Sequence, residues 1–438
     1  MLARASPATR PGSGDRYPVE LGPVVGRIRT LCAGTGGSGS TSPPRALTTA
    51  HRVHFADARD LARLPSESVE LVVTSPPYPM IEMWDDCFAE QDPEIRRALA
   101  AGRAWEAFEA MHALLDLVWS EVRRVLVPGG IACINIGDAT RTVDGAFALY
   151  PNHVRILSRL VALGLSPLPA ILWRKQTNAP NKFMGSGMFP PGAYVTLEHE
   201  HVLIVRKGDK RSFGSDADRA RRRESAFFWE ERNHWFSDVW FDLKGTGQSL
   251  LDIESRARSG AYPFELAYRL ITMFSIKGDT VLDPFLGTGT TLLAAMAAAR
   301  SSVGFERDES LKRVIEARAK GIVETAIARI HERLSAHTQF IRARRETHGR
   351  FGHPNRHYGF PVVTRQEMDL LLNRLVAVRA DGDGGFEAEH AAEPQTEFLD
   401  DWSWFFAVEE VEPSRRKPGG AADPRARQLE LFEATEEV

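Results

Sequence analysis

The stretch from Thr280 to Glu306 constrains the fold more than any other. Thr280-Val281-Leu282 is a short strand, and Asp283-Pro284-Phe285-Leu286-Gly287-Thr288-Gly289-Thr290-Thr291 follows it. Leu292–Ala299 then reads as a buried helix, and Ser302–Phe305 as a second strand ended by Glu306. The glycines let backbone approach a ligand closely, and the start of the helix offers free N–H groups to an anion. Asp283 falls at the carboxyl end of its strand, where open α/β sheets bind ligands. Glu306 ends the next strand, at about the separation from which an acid holds ribose hydroxyls.

The rest of the chain keeps the same rhythm. Strands are expected at His51–Phe55, Val69–Val73, Ile131–Ile136, Ile171–Trp173 and His201–Val205. Helices are expected over Leu99–Val125, Asn152–Leu163 and Phe264–Phe274, with one or two basic helices over Leu311–Arg344. Trp105, Phe108, Met111, Leu115, Val118 and Val122, spaced by three and four, mark the apolar face of the first helix. Strands alternating with helices in this way predict an α/β fold with a doubly wound, mostly parallel sheet.

A second motif lies over 200 residues before the glycine turn. The apolar run Val69–Val73 ends in Thr74-Ser75-Pro76-Pro77-Tyr78. Two prolines stop the ladder and fix two φ angles, so rigid carbonyls are left beside an aromatic ring. That arrangement suits a planar base carrying an exocyclic amine; a bare strand-to-loop turn is the plainer reading of the same letters. Thr41-Ser42-Pro43-Pro44 repeats four of those letters without the buried strand or the tyrosine, and Gly34–Gly39 has G-x-G-x-x-G spacing without a strand before it. Both are set aside for lack of context.

Composition narrows the function classes. The net charge of −3 conceals an acidic tail: residues 380–438 carry 16 acidic and 5 basic side chains, which leaves +8 on residues 1–379. A basic body suits phosphates. Three cysteines (Cys32, Cys87, Cys133) lack C-x-x-C spacing, so neither a disulfide framework nor a zinc site is indicated. No apolar run reaches a membrane span and the N-terminus lacks a signal-peptide pattern, so a reduced, cytoplasmic setting is expected. In residues 209–258 arginines mix with aromatics, which suits either a nucleic-acid grip or a solvated helix followed by a small aromatic core.

Thr74–Tyr78 together with Asp283–Thr291 resembles the S-adenosylmethionine-dependent DNA amino-methyltransferases. The catalytic motif precedes the glycine motif, as in the permuted, beta-class order, and the resemblance runs from about His51 to Ile330. It implies a Rossmann-like, circularly permuted fold with an inserted target-recognition region. Catalysis falls by this resemblance to Ser75, Pro76, Pro77 and Tyr78. Tyr78 would stack on a flipped-out base while the Ser75 hydroxyl and Pro76 carbonyl accept from its amine. The cofactor, S-adenosylmethionine, falls to Asp57, Tyr262, Pro263, Phe264, Asp283, Pro284, Phe285, Gly287, Gly289, Thr290, Thr291 and Glu306; no metal is implied. Serine at position 75 points to cytosine N4, with adenine N6 (in DNA or RNA) as one alternative and a catalytically silent DNA-binding protein as another. The cysteines lie in no Pro-Cys motif, which argues against attack at cytosine C5.

By this reading the organisation is an extension over 1–46 without order, a catalytic domain over 47–344 and a flexible, acidic extension over 345–438. Residues 174–258 form the candidate target-recognition region. DNA contacts are expected from Arg174, Lys175, Lys182, Arg221, Arg222 and Arg223. Within the last segment a helix is expected over Gln366–Val378 and disorder over Asp381–Glu397. Gln428-Leu429-Glu430-Leu431-Phe432 resembles the pentapeptide that docks on the replication sliding clamp. Double-stranded DNA is the expected partner, with nucleoid association; a homodimer and a cognate restriction enzyme are further candidates.

Overall fold

The computed structural model describes residues 47–175, 184–243, 262–348, 351–382, 384–400 and 402. Ten strands form one sheet: β1 Leu47–Phe55, β2 Val69–Thr74, β3 Leu126–Ile136, β4 Leu165–Arg174, β5 His199–Lys207, β6 Val239–Trp240, β7 Thr280–Asp283, β8 Ser301–Glu306, β9 Leu375–Ala380 and β10 Gly385–His390. Their spatial order is β6-β4-β5-β3-β2-β7-β8-β1-β10-β9. The five central strands, β3-β2-β7-β8-β1, are mutually parallel. Antiparallel strands flank them: β5 against β3 and β4 on one side, β10 against β1 and β9 on the other.

Alternation along each central strand sends side chains into two cores. Leu71, Val73, Val281, Val202 and Ile204 pack on one face. There they meet the helices α3 (Phe264–Phe274) and α4 (Thr290–Ala297), numbered after α1 (Ala104–Val125) and α2 (Asn152–Ala162). Val72, Leu282, Ala132, Leu203 and Val205 face the other way, onto α1 and α2. With both faces covered, the strands read as near-continuous apolar runs. In α1 the stripe Phe108, Met111, Leu115, Val118 and Val122 is buried as the spacing predicts. Trp105, at its edge, is 53% exposed and packs edge-on against Phe108. The expected helix from Leu99 is two: Pro93–Ala100 ends at Ala101-Gly102, and α1 begins at Ala104.

Two expectations are corrected. Arg365–Glu367 is one 3-10 turn and the helix expected over Gln366–Val378 is absent; Leu375–Ala380 is instead strand β9. Part of Asp381–Glu397 is strand β10, paired along β1 from Leu47↔His390 to Arg52↔Gly385. Both strands depend on an edge supplied by distant residues, a partner that local periodicity does not reveal. Of the two readings left open for residues 209–258, the aromatics follow the core one: Phe228, Trp235 and Trp240 are buried. Phe228 joins Tyr358, Phe360, Leu370 and Trp402 in a third cluster on the long helix α5 (Ile322–His348), the last α-helix of the chain that is described. Among the described residues no helix is long and apolar enough to cross a membrane.

Candidate active site

The chain leaves β2 toward β3 on one side and leaves β7 toward β8 on the other, while β2 and β7 are neighbours. That reversal makes a topological switch point, the place where an open parallel sheet leaves a crevice at the carboxyl ends of its strands. The register sets Val72 beside Leu282, so Thr74 and Asp283 end their strands together. Thr74 Oγ1 donates to Asp283 Oδ1 at 2.6 Å, a bond that joins two motifs 209 residues apart.

Asp283 is buried and surrounded by donors. Besides Thr74 it accepts from Thr291 Oγ1 (2.6 Å), the Tyr262 hydroxyl (3.3 Å) and the Phe285 N–H (3.0 Å). Burial still pushes its carboxyl up to about 6, against the pull of these bonds. Gly287 and Gly289 have φ of +54° and +85°, conformations that L side chains adopt at a cost, and Gly289 caps α4. Glu306 Oε2 accepts from the Gly287 N–H at 2.8 Å and so fixes the turn from the next strand. Burial raises the Glu306 carboxyl as well. Thr290 Oγ1, at the start of α4, is buried and without a partner. Asp57, beyond β1, is held by Arg59; burial works against its carboxylate, but those bonds keep it below the usual range.

The second motif forms the facing wall. Ser75 Oγ donates to the Tyr78 hydroxyl at 3.1 Å, and that hydroxyl donates to Glu200 Oε2 at 2.9 Å. Asn135 Nδ2 donates to both oxygens, at 2.9 and 2.6 Å. Lys175 Nζ reaches Glu200 Oε1 at 2.8 Å. Burial, then the Glu200 charge, raises the Tyr78 phenol well above its ordinary value. One cleft of about 970 Å³ is lined by Ser75, Pro76, Pro77 and Tyr78 and by Asp57, Tyr262, Asp283, Pro284, Phe285, Gly287, Thr290 and Glu306.

The remaining candidates sit elsewhere. Gly289 and Thr291 lie just behind the lining, Thr291 through its bond to Asp283. Pro263 caps α3 and Phe264 stacks on Tyr268, both outside the cleft lining. Lys175 is on the cleft, and Arg174 beside it pairs with Glu198 at the rim. Arg221 and Arg223 pair with Asp218 and Asp369, and Arg222 lies over Phe213. An added Cβ at Gly278, just before β7, would meet Arg221, which puts Arg221 at the amino ends of the central strands, away from the cleft at their carboxyl ends. In this short arginine-rich helix Arg219, Arg221 and Arg223 each pair with an acid, while Arg222 stands over a ring. Lys182 and Gln428–Phe432 lie outside the described residues.

Glu200 and Asn135 escaped the sequence reading. Asn135 is a lone polar residue inside the apolar strand β3, which is itself a signal because a buried polar group needs partners, whereas Glu200 stands between two histidines at the start of β5. Asp138, His153 and His201 form, among the described residues, the one cluster with metal-ligand potential. The two imidazoles are stacked with centroids 3.8 Å apart and planes 8° apart. Lone pairs lie in the ring planes, so a metal in the plane of one ring stands well outside the plane of the other. The arrangement is better described as an Asp138–His153 hydrogen bond, 2.8 Å, covered by His201.

Comparison with known proteins agrees with this geometry. The family model N6_N4_Mtase, described as DNA methylase, matches residues 69–317. Type II methyltransferase M.MthZI of Methanothermobacter thermautotrophicus is 51% identical over 327 residues, 74% of this chain and 91% of that protein. Type II methyltransferase M.MjaI of Methanocaldococcus jannaschii is 50% identical over 285 residues, 62% of this chain and 91% of that one. Among solved structures, a Thermus thermophilus protein described as a DNA modification methylase, in complex with S-adenosyl-L-methionine, is 35% identical with a TM-score of 0.48. It covers 61% of this chain and 92% of its own. With more than half of its length matched by the family model, and with near relatives aligned over almost their whole length, the chain belongs to the N6/N4 DNA methylase family.

Proposed function

We propose that the protein is an S-adenosylmethionine-dependent DNA methyltransferase whose target is the exocyclic N4 of a cytosine turned out of the duplex. The observation that carries this is the single cleft shared by Ser75–Tyr78 and Asp283–Thr290, with Thr74 bonded to Asp283 at its floor. The residues fit the methyl donor. Thr290 Oγ1 is buried without a partner where α4 presents its first N–H groups, which suits a carboxylate. Glu306 and Asp57 supply acceptors for hydroxyl and amine groups on the same side. When bound there, S-adenosylmethionine supplies an electrophilic methyl on sulfonium.

The chain's own part is to hold the acceptor nitrogen. A base inside the duplex hides its amine in pairing, so it must be extruded. The Tyr78 ring offers a stacking face, and Ser75 Oγ and the Pro76 carbonyl offer acceptors for the amine protons. Hydrogen bonds from those protons draw the lone pair toward nitrogen, and positioning supplies much of the acceleration. A neutral serine withdraws the proton less than a carboxylate, which favours the cytosine amine. Met188, Phe189, Tyr194 and Val195 are exposed on a short hairpin that leads to the cleft at Leu197, and they offer apolar surface for an opened base pair.

Mass spectrometry of nucleosides from DNA of cells making the protein tests this. 4-Methylcytosine is expected, and Ser75→Ala should lower its yield by at least about 10²-fold. 6-Methyladenine alone would move the target to adenine, and neither base would overturn the enzymatic reading.

A further inference from the structure

The wall behind Tyr78 holds polar side chains that the reading above does not use. Glu200 is 8% exposed, its carboxylate enclosed by polar partners. It accepts from Tyr78, Asn135 and Lys175, while Ser75 donates to Tyr78. Every proton in the row Ser75–Tyr78–Glu200 points the same way, from the cleft toward the carboxylate. Asn135 bonds both the Tyr78 oxygen and Glu200 Oε2, which fixes their separation, and Lys175 holds the other carboxylate oxygen.

We propose that Glu200 is a positioning residue for methyl transfer and the terminal proton acceptor of a hydroxyl row that begins at Ser75. The proposal rests on the reading of Ser75 as the contact to the base amine. With its own proton committed to Tyr78, Ser75 Oγ presents lone pairs to the cleft, so it can only accept from that amine. Hydrogen bonds in series polarise one another, and a row ending on a carboxylate makes the oxygen at its far end a better acceptor.

The proton balance closes. The amine lone pair forms the new N–C bond as the S–C bond breaks with its electrons left on sulfur. The amine proton passes to Ser75 Oγ, the Ser75 proton to the Tyr78 oxygen, and the Tyr78 proton to Glu200 Oε2. One positive charge disappears at sulfur and one negative charge disappears at Glu200. Tyr78 is neutral before and after. A free tyrosinate beside the Glu200 charge is disfavoured, so the three protons shift together. Glu200 lines the cleft and returns its proton to water there.

A double-mutant cycle on the full-length protein tests the row. Tyr78→Phe keeps the stacking ring and removes the relay oxygen; Glu200→Gln keeps the shape and removes the acceptor. Each is expected to slow single-turnover methylation of duplex DNA by about 10²-fold, with dissociation constants for DNA and S-adenosylmethionine nearly unchanged. The double variant should be no slower than the slower single one, because a row can be broken only once. A Tyr78→Phe variant with the wild-type rate, or losses that multiply in the double variant, would overturn the proposal.

Ultraviolet difference titration gives a readout independent of activity. The phenol whose signal is missing in Tyr78→Phe should ionise at lower pH in Glu200→Gln, and an unchanged titration again counts against the row. Wild-type protein that methylates no base would overturn the functional reading, and the proposal with it.

Discussion

Gly137 shows how closely the wall of the cleft is fitted at the level of single atoms. A Cβ there would lie 3.0 Å from Tyr78 Cε2 and 3.4 Å from Glu200 Cγ. The ring cannot retreat freely, since its hydroxyl is tied to Ser75, Asn135 and Glu200. Gly137→Ala should therefore tilt the stacking face while leaving the core intact. We expect methylation to slow by about tenfold, equivalent to ~1.4 kcal/mol at the transition state, with a melting temperature within a few degrees of wild type. Parallel rate and melting measurements check this; equal rates would show that the ring does not position the base. At this scale the sequence is most readable where residues are adjacent: Ser75, Pro76, Pro77 and Tyr78 form one local unit, and the structure puts all four on the cleft. Glu200 and Asn135 were not legible as members of the site, because neither belongs to a motif and the burial of Glu200, between two histidines at the start of β5, depends on the sheet packed around it.

At the scale of elements, the glycine turn is held from outside itself. Leu286 N–H bonds the Phe305 carbonyl at 2.9 Å, and Arg318 grips the Thr288 carbonyl at 2.7 Å. Gly304, in β8, is where the Leu286 side chain lands: an added Cβ would sit 2.6 Å from Leu286 Cδ2. Gly304→Ala should push Leu286 and the turn away from β8, at a cost of about 1–3 kcal/mol typical of an overpacked core. Weaker S-adenosylmethionine binding in calorimetry, with a lowered denaturant midpoint, is the expected result. The βαβ unit itself was legible from strand, glycine turn, helix and strand in series. The arginines of 221–223 show the complementary case: their charge is visible in the sequence, but the pairing of Arg221 with Asp218 and of Arg223 with Asp369 is not.

For the molecule as a whole, the described residues between 351 and 402 close the sheet beyond α5. Tyr358, Phe360, Leu370 and Trp402 pack on α5, and β10 covers the edge of β1. Ending the chain at Arg350 should expose both surfaces, and a melting temperature lowered by about 10 °C or more, or aggregation, is expected. A polar row ties the same edge together: Ser302 to His51 at 2.8 Å, His51 to Thr49 at 2.9 Å and Thr49 to His390 at 3.1 Å. Burial lowers His51 to about 3 and His390 and His112 to about 4, so these rings stay neutral when folded. Their contribution to stability is complete above pH 6.5 and is lost as pH falls toward those values, because only the unfolded chain takes up the protons. Asp283 has the opposite sign: its raised value gives stability at low pH that is lost as pH rises through about 6. His54, His201 and His357 are lowered by burial as well, and Glu70, Glu306 and Glu367 are raised by it; six histidines against four carboxyls leave the urea midpoint falling from about pH 7 to about pH 5, and His51→Gln should flatten that fall.

By itself the sequence determined the local units: a parallel βαβ turn built on glycines, a strand ending in Ser-Pro-Pro-Tyr, and the amphipathic stripe of α1. Each is fixed by backbone geometry or periodicity within a few residues. Only the tertiary structure decided that Thr74 meets Asp283, that Glu200 stands behind Tyr78, and that Leu375–Ala380 and Gly385–His390 are strands rather than helix and tail. Those outcomes depend on which hydrogen-bonding edge or buried partner a residue finds hundreds of positions away, and that is a property of the assembled sheet.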